Sequence, residues 1–218
     1  MDIDPATISP ADRYKLLIGG IVPRPIAWVS TIAHDGRTNL APFSFFCGVG
    51  SDPMTLLFCP ANKPDGSPKD SFLNARLLAD GGTGQFVVNV VPERLGRAMA
   101  LCAAPLPFGD SEFHMPEVES LGITAAPSSK VRPPRVSQSP ISFECHTLQT
   151  IRTNPDAPAG GNIVLGEVIH VHIDDAIVNS RLHIDPAALD AIGRMGGTAY
   201  ARTRDRFDMP MGRGNSPP

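Results

Sequence analysis

Arg24-Pro-Ile-Ala-Trp-Val-Ser-Thr-Ile-Ala-His-Asp-Gly-Arg-Thr-Asn-Leu-Ala-Pro-Phe-Ser-Phe-Phe46 reads as two strands joined by a tight turn at His34-Asp35-Gly36. Asp-Gly supplies residues that tolerate positive φ, which a hairpin turn demands. The strand content is unusual. Ser30, Thr31, Asn39 and Ser44 are small polar groups set among apolar ones, beside Pro25 and Pro42. A hairpin that only fills a core has no use for them. One that lays its backbone and short hydroxyls along a flat, hydrogen-bonding ligand does.

Working outward, strands are expected over 24–33 and 38–49, with a third over 54–59 after the turn residues Ser51-Asp52-Pro53. A lead-in helix is expected between residues 4 and 17, capped by Ser9 ahead of Pro10 and stopped by Gly19-Gly20. Ser67-Pro68-Lys69-Asp70-Ser71 opens a second helix, expected to run to residue 80 with Ser67 as its cap and Gly81-Gly82 as its stop. The unbroken apolar run in 85–91 predicts a strand buried on both faces. A short helix is expected over 92–101, and strands over 141–152 and 163–173, joined by the loop 154–161. Many short strands with few short helices argue for a mainly β, antiparallel, barrel-like fold in one domain over 1–218. Its core spans about residues 10–208, and 209–218 reads as a frayed tail. Residues 103–139 are the least regular part, and a long loop of that kind inside a compact domain is usually functional.

With 42% hydrophobic and 19% charged residues the chain has ample material for a core. A net charge of −3 exerts no global pull on nucleic acid or anionic membrane. The apolar stretch 16–29 is short and broken by Pro23-Arg24-Pro25, and the acidic N-terminus lacks a secretory start, so a cytoplasmic protein is expected. Cys47, Cys59, Cys102 and Cys145 form no CxxC pair and read as small buried hydrophobes in a reducing compartment.

Three local features invite chemistry. Lys69-Asp70-Ser71 at a helix start offers unpaired amides, an ammonium and hydroxyls to an anion, or is a solvated cap with no ligand. Arg24, held between two prolines, is either a pre-positioned ligand or an exposed arginine at a strand start. His170 and His172 share one strand face, but no third metal ligand is evident, and they read as polar groups on the outer face of a half-buried strand. No metal site is expected. The chain has no GxSxG, Walker A or GxGxxG order, and Gly193-Arg194-Met195-Gly196-Gly197 is a glycine-rich turn without P-loop spacing.

Taken together, Arg24 to Thr31, Asn39 to Phe46, Ser51-Asp-Pro53, Lys69-Asp70-Ser71, Gln85 to Asn89 and Gly193 to Gly197 with Tyr200-Ala-Arg202 resemble the flavin reductase-like family with its FMN-binding split barrel. The resemblance spans about residues 10–208. It implies a Greek-key-like antiparallel barrel, a homodimer, and FMN as cofactor, FAD being the other flavin taken by members. It implies NADH or NADPH as electron donor and a partner flavin-dependent monooxygenase. By this resemblance Trp28, Val29, Ser30 and Thr31, with Asn39, Ala41, Pro42 and Ser44, line the isoalloxazine ring. Lys69, Asp70 and Ser71 meet the phosphate, and Arg24 assists the phosphate or the dimer contact. Cys47 stands where a polar residue such as asparagine is expected, and Ser71 where threonine is usual. An extra Pro-Asp-Gly turn lies within 61–67, and the loop 106–116 is not diagnostic of the family; it would form a pocket wall in an enzyme acting on its own organic substrate. No catalytic residue is expected, because the cofactor carries hydride chemistry while the protein fixes geometry. Two alternatives are an FMN electron carrier without enzyme activity and a flavin-dependent enzyme acting on its own organic substrate.

Overall fold

A computed structural model of the chain describes residues 1–104 and 116–209. The expected substrate wall in 106–116 and the frayed tail lie almost wholly outside the described residues. Helix α1 (Pro10–Gly20) is capped by Ser9, whose hydroxyl accepts from the Asp12 amide. The helix therefore starts later than expected and runs through Gly19-Gly20, which do not stop it, and a separate 3-10 turn lies at Pro5–Thr7. Strand β1 (Ala27–Ile32) pairs antiparallel with β2 (Thr38–Phe43). The turn between them closes through Gly36 at φ +91°, a conformation open to glycine at little cost.

The expected strand over 38–49 is two strands. β2 ends at Phe43, and β3 (Phe46–Ser51) starts afresh beside β4 (Met54–Phe58). In the main sheet the order is β2-β1-β5-β8-β9-β4-β3, so consecutive strands β2 and β3 lie at opposite edges. β5 is Gln85–Asn89, β8 is Ile141–Arg152 and β9 is Asn162–Ile173. Only a strongly curled sheet lets two residues, Ser44 and Phe45, carry the chain from one edge to the other. The Cys59 amide donates to the Phe45 carbonyl at this corner (2.9 Å), and the Phe43 and Phe58 rings meet at 5.3 Å. This is the expected mainly β barrel. Pro42 is tolerated because β2 is an edge strand, which does not need its missing N–H.

β1 and β5 are sandwiched in the sheet and send alternate residues to two cores. Ala27, Val29, Phe43, Phe58, Phe86, Val88 and Phe72 fill the barrel interior. Trp28, Leu40, Leu95, Met99, Val118 and Ile123 pack outside it, under α3 (Gly96–Leu101) and α4 (Pro116–Ser120). Full burial of side chains such as these contributes about 1.5–3 kcal/mol each. Gly166 of β9 has no alternative residue, since a Cβ there would stand 2.4 Å from the Phe86 ring. Within the irregular 103–139 region the described residues also form a small ribbon, β6 (Ala125–Ala126) with β7 (Arg135–Val136).

The helix expected over 67–80 is much shorter. Ser67 is not its cap, because both the Ser67 amide and hydroxyl are taken by the Asp65 carboxylate. Lys69 is left extended as the cap residue, and α2 (Asp70–Ala75) follows. A single 3-10 turn at Leu78–Asp80 ends at Gly81. Near the C-terminus α5 (Pro186–Leu189) leads into the hairpin of β10 (Ile192–Arg194) and β11 (Tyr200–Arg202).

Candidate functional site

Six of the twelve residues expected at a ligand line one cleft of about 500 Å³. They are Asn39, Ala41 and Pro42 from edge strand β2, and Lys69, Asp70 and Ser71 from the start of α2. Chain distance is overcome by packing, since α2 lies against β1 and β2, driven by burial of Phe72 and Ala75 in the barrel. One buried bond fixes the join, with Asn39 Nδ2 donating to Ser71 Oγ at 2.8 Å.

The cleft mixes two chemistries. Ala41, Pro42, Phe43, Cys102, Ala103 and Ala104 give apolar walls. The Lys69 ammonium stands 5.6 Å from the ring centroid of Phe43, one of those wall residues, and makes no ion pair among the described residues. Displacement of water by the surrounding protein lowers the Lys69 pKa, and neighbouring Lys63 lowers it further. An anion bound there would oppose the shift by favouring the charged form. Asp70 does not spoil the site, because Lys63 Nζ lies 3.6 Å from its carboxylate. A flat apolar ring with a polar edge and a phosphate tail matches this donor set.

Three lining residues had no sequence motif to announce them. Asn62, Lys63 and Pro64 come from the extra turn in 61–67. Asn62 Nδ2 reaches the carbonyls of Pro155 and Ala157, both at 2.9 Å, and so ties this turn to the 154–161 loop. Nothing local in the sequence distinguishes an asparagine that clamps a loop about 90 residues away.

The other six expected residues do not line the cleft. Trp28, Val29, Ser30 and Thr31 are fully buried on β1. The Ser30 hydroxyl donates to the Pro134 carbonyl, and Thr31 Oγ1 accepts from Asn74 Nδ2 at 3.1 Å. The Trp28 indole N–H is buried with no hydrogen-bond partner among the described residues. Arg24 is also buried, and its guanidinium is spent on carbonyls. Nη1 donates to Ile18 (2.7 Å) and Ile21 (2.8 Å), Nη2 to Met195 (3.0 Å), and Nε to the Ser44 hydroxyl (3.1 Å). The bracketing prolines do pre-position this side chain, but for the fold. Burial lowers its pKa.

The histidine pair needs correction. His172 is not a solvent-facing group, since its Nε2 lies 2.5 Å from Oε1 of Glu144, which is fully buried. Register brings them together, because β8 and β9 pair Glu144 with His170 and Ser142 with His172. Glu144, His170 and His172 offer ligand atoms within 4.8 Å of one another, so a third group does exist. Both Glu144 oxygens are already engaged. Oε1 also accepts from the Ser129 amide (2.6 Å), and Oε2 from the amides of Lys130 (2.6 Å) and Val131 (3.2 Å). The carboxylate thus anchors the 128–136 segment on the sheet.

Comparison with known proteins gives one consistent result. A family model described as the flavin reductase like domain matches residues 19–192. An uncharacterized protein of Deinococcus radiodurans is 42% identical over 205 residues, covering 90% of this chain and 83% of that protein. The crystal structure of nitrilotriacetate monooxygenase component B from Bacillus cereus has a TM-score of 0.84 at 30% identity, covering 96% of this chain and 98% of that one. A 2-nitrobenzoate 2-nitroreductase of Pseudomonas fluorescens has a TM-score of 0.78 at 25% identity, with 100% and 99% coverage.

Proposed function

The chain belongs to the flavin reductase-like domain family, and on that premise we propose that it binds FMN and reduces it with NADH or NADPH for a partner monooxygenase. One observation carries the reading. The cleft that unites Asn39, Ala41 and Pro42 with Lys69, Asp70 and Ser71 sets apolar lining beside an ammonium that makes no ion pair among the described residues. In this reading Lys69 and Ser71 hold the phosphate, while Asn39, Ala41 and Pro42 face the ring. Trp28, Val29, Ser30 and Thr31 support that wall through the pairing of β1 with β2, and Arg24 and Ser44 hold the corner where β2 ends. When bound, the flavin supplies hydride acceptance and onward electron transfer. The protein's own share is orientation, neutralisation of the phosphate charge and exclusion of water. The likeness to a monooxygenase component B supports the partner, and a cytoplasmic setting suits both.

A second reading is favoured by the nitroreductase likeness, namely direct reduction of an organic substrate over the bound ring. Two measurements separate the readings. FMN fluorescence should be quenched on titration with protein, and absence of binding at tens of micromolar flavin, a weak affinity for a cofactor, overturns both. Steady-state oxidation of NADH or NADPH that scales with added free FMN supports the reductase. Turnover that needs a nitroaromatic acceptor instead, with FMN retained by the protein, supports the second.

A further inference from the structure

A separate cleft, of about 600 Å³, is walled by Arg94, by residues of the 135–140 segment and by the end of β9. Among the described residues it shares no lining residue with the flavin cleft. Two arginines, Arg94 and Arg135, line it against one carboxylate, Asp174. Asp174 Oδ1 already accepts from the Ala176 amide at 3.0 Å. His172, the other titratable group on the lining, is turned to Glu144.

Arg135 is the informative residue. It sits on β7 beside Val136, which is fully buried and whose amide donates to Asn89 Oδ1 at 2.8 Å. Side chains alternate along a strand, so seating Val136 in the core turns Arg135 to the opposite side. The Arg135 guanidinium makes no hydrogen bond or ion pair among the described residues, and its Nε is shut off from solvent. A desolvated donor lacking a partner costs free energy unless something completes it. Arg94 is held at the same cleft by one bond, its Nη2 donating to the Gln138 carbonyl at 2.7 Å. Gln138 is itself fastened to Thr124, with Oε1 accepting from the Thr124 amide and Nε2 donating to Thr124 Oγ1, both at 3.0 Å. The remaining Arg94 donors have no partner among the described residues.

We propose that this cleft binds a small oxyanion, a phosphate or a carboxylate group, between the guanidiniums of Arg94 and Arg135. The planar fork of an arginine matches the paired oxygens of either group, and such charge-assisted pairs are among the strong hydrogen bonds. Ser137, Gln138 and Ser139 add to a mainly polar lining, which suits a compact charged group rather than an aromatic ring. The site stands apart from the flavin cleft and does not need flavin to be bound.

Isothermal titration with inorganic phosphate and, separately, with malonate tests the assignment at matched ionic strength. The protein used is Lys69→Ala, which removes the cation assigned to the flavin phosphate. At least one anion should saturate a single site at about millimolar, the strength of two charge-assisted contacts, and the tighter of the two names the ligand's chemistry. Adding Arg94→Ala or Arg135→Ala should weaken it by about 10-fold or more. Arg94 is exposed, so its variant reports on the site even if the Arg135 variant does not fold. Arg135→Lys keeps the charge without the fork and should recover only part of the loss. In chains that retain Lys69, FMN affinity should change by less than about 2-fold in both alanine variants. No saturation by either anion at tens of millimolar overturns the assignment. So does binding that is unchanged by the alanine substitutions or fully kept by Arg135→Lys, which marks a diffuse field. Loss of FMN affinity in step with the oxyanion would make the cleft part of the flavin site and overturn it too.

Discussion

Lys69 is an exposed cation on the lining of the cleft, with enough protein around it to lower its pKa. Its ammonium is paid for by a ligand rather than by a carboxylate, since none of the described residues pairs with it. Lys69→Ala should weaken FMN binding by about 10- to 150-fold, the value of 1.5–3 kcal/mol for a charge-assisted contact. Riboflavin, which lacks the phosphate, should lose much less. Equal losses for both ligands would place the phosphate elsewhere. Glu144 is the opposite case, a buried charge satisfied entirely by protein. Burial raises its pKa, but the Ser129 and Lys130 amides and His172 together outweigh burial and leave it below the ordinary 4.5. A carboxyl whose folded pKa is depressed stabilises above its unfolded value and loses that contribution as pH falls through the folded one. Melting temperature should therefore fall as the pH drops below about 4.5 in the wild type, and more gently in Glu144→Gln. His172→Ala should cost about 1–3 kcal/mol in denaturant unfolding, while His170→Ala stays near 0.5. Similar small losses for both would remove His172 from the anchoring network.

Between elements, Arg24 acts as a staple. Its side chain joins the end of α1, the corner between β2 and β3, and the turn after β10, while its backbone exchanges two hydrogen bonds with Arg194. Arg24→Ala removes a buried guanidinium and leaves three part-buried carbonyls without it, which should cost about 2–4 kcal/mol, a fall in melting temperature of roughly 5–15 °C for a chain of this size. An unchanged melting temperature would show that water replaces the guanidinium. Arg24 also shows why the sequence was only partly legible. Its rigid setting between prolines was readable from local chemistry, but its partners are carbonyls, which every residue possesses. The Asp-Gly turn, the Ser9 cap and the doubly buried β5 run were likewise local facts. The break after Phe43 was not, because edge-to-edge curling of the sheet places no mark on Ser44 or Phe45. Glu144 eluded sequence reasoning for the same reason. It lies 28 residues from His172, and only strand register makes them neighbours. For the cleft, the charged end was visible as Lys69-Asp70-Ser71, while Asn62 and Lys63 depended on how the 61–67 turn docks.

At the scale of the molecule, two faces lack a partner among the described residues. Helix α1 contributes no buried residue, although Tyr14, Leu16, Leu17 and Ile21 are each about half exposed. A helix that buries nothing in its own chain is marginal at 11 residues, because isolated helices of that length scarcely hold together in water. The sheet also ends in β3, whose residues from Cys47 to Ser51 are exposed, with Val49 and neighbouring Met54 adding apolar surface; Cys47 is thus not the buried hydrophobe expected, and Cys59 is only half-buried, because an edge strand has no layer over it here. Open edge strands and contiguous apolar surface invite association, and closed two-fold pairing is the commonest outcome. A homodimer is therefore the expected state. Light scattering should return twice the 23.2 kDa of the chain. Leu17→Glu, alone or with Val49→Lys, should shift the population toward monomer and lower thermal stability with protein dilution. If flavin affinity falls in step with dissociation, the cleft is completed at the subunit contact. If it holds in the separated subunits, the cleft is complete within one chain. A wild type that remains a clean monomer at high concentration would refute the dimer, and α1 would then owe its order to the Ser9 cap and the Arg24 bonds to its last carbonyls.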